Sequence, residues 1–345
     1  MIGLKLIAWY GVNKRVLPWR DIENPYFIWV SEIILQQTRV VQGLEYYLRF
    51  IDVYPNIFTL ASADIDDVLK IWQGLGYYSR ARNMHTAARY IVDVYQGRFP
   101  TTYDELITIK GIGDYTASAI ASMAFGQPVP VIDGNVNRVI ARLYGVQQPV
   151  NKPAGQKEIR AHAEKLMVHN EPGTYNQAIM EFGALQCVPK NPDCNGCIFN
   201  RICFAGKNGL VDVLPVKTKT AKITTRYFHY LYVRFGGRTF IRRRIDGDIW
   251  TGLYEFPMIE TEGETGLDEL CRTPAWQSYF PGQTPLVKSV SPEITHRLTH
   301  RILKIRFYEI TIERAISGKE FIEIPETELH RYAVPVVIEN WITVL

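Results

Sequence analysis

The spacing of apolar side chains changes once along this chain. Up to about residue 203 it follows the helical period: Ala81, Met84, Ala88, Ile91, Val92 and Tyr95 recur at intervals of three and four and share one helical face. Ile33, Ile34, Val41, Leu44 and Leu48 repeat the pattern and predict another amphipathic helical stretch. Ser62-Ala63-Asp64 ahead of Val68 and Leu69 reads as a capped helix start. Glycines and prolines at Gly74/Gly76, Gly97/Pro100, Gly111/Gly113 and Pro128/Pro130 separate these segments. An all-α domain of many short helices is therefore expected over residues 1–205. Residues 115–132 carry no charge, yet Thr116, Ser118, Ser122 and Gln127 interrupt them and Gly126, Pro128 and Pro130 end them. A spanning helix needs about 20 predominantly apolar residues, so a buried helix followed by a turn is expected here, and no membrane partner.

Residues 206–222, with Gly206, Gly209, Pro215 and several lysines, read as a linker. Beyond them the period falls to two. Residues 227–235 and 238–244 are strand-like runs around Gly236-Gly237, a hairpin signal. Leu303, Ile305 and Phe307 alternate with Lys304 and Arg306, as in a half-buried strand. Residues 223–345 are expected to form an α+β domain with an antiparallel sheet.

Composition adds exclusions. A length of 345 residues suits two domains, and 47% hydrophobic with 21% charged residues rules out a disordered or fibrous chain. The net charge of +4 identifies no nucleic-acid binder by itself. Nine Lys/Arg and no acid between 217 and 244 leave two readings, a solvated linker and strand face or a surface laid on a polyanion. The N-terminus lacks the apolar core of a signal peptide, so a reducing, cytoplasmic setting is expected. There, Cys187, Cys194, Cys197 and Cys203, spaced C-x6-C-x2-C-x5-C, point to a metal site rather than to disulfides. Zinc sites usually use two close pairs. One close pair between two wider loops suits a [4Fe–4S] cluster better, with zinc as the alternative. Lys190, Arg201 and Lys207 make this loop basic, and Cys271 lies apart.

Residues 109–117, Ile-Lys-Gly-Ile-Gly-Asp-Tyr-Thr-Ala, join two helical segments through Gly111 and Gly113, whose amides at a helix start form an anion site. Some 20 residues later comes Val131-Ile132-Asp133-Gly134-Asn135-Val136. With the cysteine spacing, this resembles the helix-hairpin-helix DNA glycosylases that carry an iron–sulfur cluster, and among them the MutY-type adenine DNA glycosylases. Pro18-Trp19-Arg20, residues 31–38 (Ser-Glu-Ile-Ile-Leu-Gln-Gln-Thr), 74–80 (Gly-Leu-Gly-Tyr-Tyr-Ser-Arg) and 175–178 (Tyr-Asn-Gln-Ala) match that family's motifs. The likeness is dense over 5–205. It is thinner beyond, where 250–257 (Trp-Thr-Gly-Leu-Tyr-Glu-Phe-Pro) looks like the family's NUDIX-like domain without the Glu-rich box that nucleotide hydrolysis needs.

The resemblance implies a base excision repair glycosylase acting as a monomer on double-stranded DNA with adenine opposite 8-oxoguanine or guanine. Glu32 would protonate adenine and Asp133 stabilise the oxocarbenium-like sugar, supported by Tyr115 and Asn135. Read alone, Glu32 is an acid in a first helical turn and Asp133 an N-cap. Gln37 and Tyr77 would enter the duplex, with Thr38 in the same motif. Arg15, Leu17, Trp19, Arg20 and Gln177 would surround the adenine, although Trp19 reads equally well as core. Where endonuclease III-like lyases carry a nucleophilic Lys, this chain has Tyr115, which cannot form a Schiff base, so a monofunctional enzyme is implied. The endonuclease III-like glycosylase/lyase is the alternative, followed by a non-catalytic DNA-binding iron–sulfur protein and a NUDIX hydrolase. The family's Phe-Ser-His lesion loop corresponds to 298–300, where Leu298 and Thr299 replace Phe and Ser, leaving Thr299 and His300 to read the lesion. Lys110 stands where the hairpin usually has Pro.

Overall fold

In the computed structural model, which describes residues 2–218, 223–245 and 247–344, the chain divides into two compact units. Met1–Ser62 groups with Asn83–Lys219, and Ala63–Arg82 groups with Thr220–Leu345.

The first unit is helical. Asn24 caps Pro25–Leu35 by accepting from the Tyr26 amide, and Pro25 supplies a first turn whose missing N–H costs nothing. This helix is apolar nearly all round, and 26 and 28–34 are buried. Asp114–Phe125 starts at Gly113 and stops at left-handed Gly126, as the uncharged stretch predicts. Gly134–Tyr144 is capped by Asp133 and closed by Gly145, while Pro172–Leu185 buries Tyr175, Asn176, Glu181 and Phe182. The last two helices share one core with Leu6, Tyr10 and Ile159, through Val136, Ile140, Tyr175, Ile179 and Phe182. Gly183 permits their closest approach: a Cβ there would stand 2.6 Å from Asn135 Cβ.

The expected helical stretch through Ile33, Ile34, Val41, Leu44 and Leu48 is broken. Pro25–Leu35 ends, Gln37 turns through φ +58°, and a new helix Val40–Val53 buries Gly43, Tyr47 and Phe50 instead. Val41 is left 88% exposed. Both sets of residues have helical spacing; two aromatic rings and a glycine that admits the Leu35 side chain made the better face.

In the second unit Thr224–Phe235 and Arg238–Arg243 form the hairpin expected around Gly236-Gly237. The sheet is not purely antiparallel. Thr224–Phe235 pairs in parallel with Arg301–Thr311 along its length, while Met258–Thr261, Leu286–Val290 and Ile294–Arg297 add antiparallel partners. A parallel neighbour needs a long crossover, and the helices Leu267–Leu270 and Pro274–Tyr279 lie within it. Both faces are covered. Phe228, Tyr230, Leu303, Ile305 and Phe307 pack with Val337 and Ile338, whereas Leu231, Val233, Tyr308 and Ile310 pack with Leu270 and Trp276.

The basic run resolves into ion pairs. Arg226 meets Asp248 and Glu260, Arg234 meets Glu309 and Glu326, and Arg238 meets Glu323. Arg242, Arg243 and Arg244 meet Glu255, Asp66 and again Glu255. The polyanion reading fails for these arginines, because acids remote in sequence already match their charge. Lys219 and Lys222 lie outside the described residues. Among the described residues no helix is long and apolar enough to cross a membrane.

The close helix approach gives a stability prediction. Gly183→Ala should cost about 1–3 kcal/mol by overpacking against Asn135, whereas Gly11→Ala, in a helix with open space around it, should gain about 0.4–1 kcal/mol. Urea midpoints of the two variants should therefore move in opposite directions.

Candidate active site

Glu32 lies in the third turn of Pro25–Leu35 rather than in a first turn, and is 8% exposed. The hairpin aims Tyr115, second residue of Asp114–Phe125, at it: the phenol donates to Glu32 Oε2 and sits 3.7 Å from Met180 Sδ. Asp133 occupies the N-cap position, its Oδ1 accepting from the Val136 amide at 2.7 Å and its Oδ2 from Asn135 Nδ2 at 2.7 Å. Glu32, Tyr115, Asp133 and Asn135 line one cavity of about 430 Å³ with Arg15, Trp19, Arg20, Thr38 and Gln177.

Burial dominates the electrostatics of this cavity. It pushes the Glu32 carboxyl above its ordinary value, opposed by the Tyr115 hydroxyl and the Arg20 charge and reinforced by Asp133. Burial also raises Asp133, against the bonds from Val136 and Asn135, and holds the Tyr115 phenol well above its usual range. Asp133 accepts from a backbone amide and a side-chain amide, bonds that favour its charged form, whereas Glu32 has one hydrogen bond, from Tyr115, and the Arg20 charge against its burial.

Two residues missed from sequence organise the rest. Glu181, 1% exposed, accepts from Arg15 Nε at 2.7 Å, Arg15 Nη2 at 2.6 Å and Arg20 Nη2 at 2.9 Å. Tyr10 accepts from Arg20 Nη1 and donates to Gln177 Oε1. Glu181 follows Gln177 by four residues on one helix, and that spacing was the available signal. Burial raises the Glu181 carboxyl, but the Arg15 bonds and the Arg20 charge outweigh it, and the net shift is downward. Trp19 is both core and wall: 5% exposed, edge-on to Tyr47 at 5.1 Å, and lining the cavity. Leu17 is half-buried and Gln37 exposed, and neither lines the cavity.

Gly111 takes φ +100° with the Asn83 carbonyl 2.8 Å from where a Cβ would stand, so a side chain there meets both strain and a clash. Gly113 is open, and the adjacent Asp114 is engaged by Arg160 and the Tyr103 hydroxyl.

The second unit brings together Tyr77 and Thr299, whose hydroxyls are 2.6 Å apart. They line a cavity of about 640 Å³ with Trp250, His296, Arg297 and His300. Tyr77 is 44% exposed in a left-handed backbone conformation, φ +49°.

Cys187, Cys194, Cys197 and Cys203 ring a further cavity of about 300 Å³ in the first unit. Among the described residues no three His, Cys, Asp or Glu side chains converge closely enough to hold a single metal ion. Four thiols around one space are the donor set that a [4Fe–4S] cluster takes. Arg138 spans from Asn135 Oδ1 at 2.8 Å to the Cys187 carbonyl at 2.7 Å. Cys271 is half-buried in the second unit.

Comparison with known proteins finds two family models along the chain. The family model "HhH-GPD superfamily base excision DNA repair protein" matches residues 30–168, and the "NUDIX domain" model matches 229–343. The chain is 32% identical over 313 residues to an adenine DNA glycosylase of Buchnera aphidicola subsp. Baizongia pistaciae (strain Bp), covering 90% of this chain and 86% of that one. It is 35% identical over 261 residues to the adenine DNA glycosylase of Buchnera aphidicola subsp. Schizaphis graminum (strain Sg), covering 75% of each. A solved thermostable thymine-DNA glycosylase superposes with TM-score 0.56 at 26% identity, over 60% of this chain and 95% of that chain.

Glu181→Ala should strand the two guanidinium groups and cost about 3 kcal/mol, the low end for breaking a buried pair because the Arg15 side chain is a third exposed. The Glu181 carboxyl is depressed in the folded protein, so its contribution is present at neutral pH and lost as pH falls. The stability gap between wild type and variant, read from urea midpoints, should therefore narrow in acid.

Proposed function

The chain belongs to the adenine DNA glycosylases of the HhH-GPD superfamily, enzymes of base excision repair, and from that premise we propose that it hydrolyses the N-glycosidic bond of adenine mispaired with 8-oxoguanine, and also with guanine, as a monofunctional enzyme. The observation that carries this reading is the Glu32 carboxyl, pushed up by burial and bonded by Tyr115, sharing one cavity with Asp133, which two amides hydrogen-bond. An extruded adenine, which costs a few kcal/mol to unstack, enters between them. Glu32 gives its proton to a ring nitrogen of the base, so the bond to the sugar breaks with neutral adenine as leaving group. The Asp133 carboxylate stabilises the cationic sugar. Water then adds to the sugar carbon and returns a proton to Glu32, leaving an abasic site. Tyr115 keeps Glu32 oriented, and Asn135 does the same for Asp133. No amine stands at position 115 to attack the sugar, which opposes the lyase alternative.

A [4Fe–4S] cluster on Cys187, Cys194, Cys197 and Cys203 would shape a basic loop, with exposed Lys190, Arg201 and Lys207, for the phosphate backbone. When bound, the cluster supplies structure to this loop. In the second unit, Thr299 and His300 would read the base opposite adenine, with Tyr77 held by Thr299.

The direct test is incubation with a duplex containing adenine opposite 8-oxoguanine. Free adenine should appear, with strand breakage only after alkali. Breakage without alkali would overturn the monofunctional assignment, and no adenine release would overturn the whole reading. Glu32→Gln should lower single-turnover excision by about 10²–10⁴-fold, the usual contribution of one general acid, with duplex affinity kept. Because burial raises the Glu32 carboxyl, wild-type excision should fall as pH rises through its titration, a limb that Glu32→Gln lacks.

Replacing both Thr299 and His300 by Ala should lower the preference for 8-oxoguanine over guanine opposite adenine by about tenfold, the value of one hydrogen-bonded readout. Bond breaking in the favoured complex should be nearly unchanged. Equal preference ratios in wild type and double variant would remove these residues from lesion reading.

A further inference from the structure

Arg142 is 3% exposed on the helix Gly134–Tyr144 and walls the same cavity as the four cysteines. Its Nε donates to the Leu214 carbonyl at 3.0 Å, Nη1 to the Val188 carbonyl at 2.7 Å, and Nη2 to the Pro189 carbonyl at 3.0 Å. Nη1 also points to Cys187 Sγ at 3.5 Å. Among the described residues no carboxylate pairs with it. The other deeply buried arginine, Arg244, is held by Glu255 and Asp248. Carbonyl dipoles satisfy hydrogen bonds but do not cancel a net charge, and a guanidinium cannot shed its proton. A buried cation with no anion is strongly disfavoured, so the cavity it faces calls for negative charge.

Leu214 belongs to the segment by which the chain leaves the helical unit. That segment is further held by the Val150 amide donating to the Val216 carbonyl at 2.9 Å, and by Asn151 Nδ2 donating to the Thr218 carbonyl at 3.0 Å. We propose that Arg142 is the built-in counter-cation of the iron–sulfur cluster and that, by gripping Leu214, it ties occupancy of the cluster to docking of this exit segment. The inference rests on the cluster reading above. An iron–sulfur cluster with four thiolates is net negative, and charge and hydrogen bonds beside it set both its potential and its retention.

The test uses full-length wild type, Arg142→Met and Arg142→Lys, with iron per chain, iron release to a chelator, cluster potential by voltammetry, and tryptic cleavage after Lys217 as readouts. Arg142→Met should release iron roughly 10–100-fold faster, as loss of an outer partner of a metal ligand does. Its potential should move negative, because the cation that favours the reduced cluster is gone. Arg142→Lys keeps the charge but loses the fork: its potential should stay near wild type while cleavage after Lys217, whose side chain is exposed but whose neighbours Val216 and Thr218 are held by their carbonyls, becomes faster. In wild type, extracting the iron should speed that cleavage while the far-ultraviolet helical signal persists, an arm that needs no variant to fold. Iron-loaded wild type together with an indifferent Arg142→Met overturns this inference alone. Unchanged cleavage after complete extraction overturns the link to the exit segment. Wild type purified without iron overturns the cluster reading and the inference together.

Discussion

Water exclusion around Glu32 is the constraint on which the helical unit depends. A carboxyl at a surface would be ionised at neutral pH; burial against a wall of Ile28, Leu35 and Met180 pushes that of Glu32 above its ordinary value. That wall requires an apolar helix, Pro25–Leu35, to run through the core with one acid on it. The hairpin must turn at Gly111 to bring Tyr115 over that acid, and Gly183 must let two helices meet closely beside Asn135. The cationic Arg15 and Arg20, which line the same cavity, are tied to Glu181.

The gathering of Glu32, Tyr115, Asp133 and Asn135 in one cavity was legible in the sequence because these residues sit in short local motifs. Glu32, Tyr115, Asp133 and Asn135 each come with neighbours that fix a helix start, a tight turn or an apolar wall. Partnerships between distant segments were not legible. Glu181 is an ordinary acid until Arg15 and Arg20 fold onto it, and the arginines of the basic run look unmatched until the strands bring in Glu255, Glu260, Glu309, Glu323 and Glu326. Helical spacing alone could not tell Val41 and Leu48 from Tyr47 and Phe50, since each set makes a stripe and only packing selects one.

The second unit follows a different logic. Of its two central strands, Thr224–Phe235 is buried continuously over residues 228–233, whereas Arg301–Thr311 alternates, and both carry arginines that pair with acids from other segments. Asp248 shows this most clearly: it receives Arg226, Arg244 and Arg301, the last of which opens the strand just after Thr299 and His300. The loop that carries those two residues is thus anchored by an ion-pair hub as well as by Leu298, which packs against the core.

The double duty of Asp133 has a consequence for how this protein tolerates change. Asparagine would accept the Val136 amide as well as aspartate does, so the helix gives no reason to prefer the acid. Its macrodipole does: the positive end of Gly134–Tyr144 meets the carboxylate directly, offsetting part of what burial costs that negative charge. Shape at this position therefore serves folding, while the charge is carried against the cost of burial. A replacement that keeps the cap and erases the charge changes the cavity's electrostatics without undoing the helix, so a stable variant of this protein is no guide to a working one.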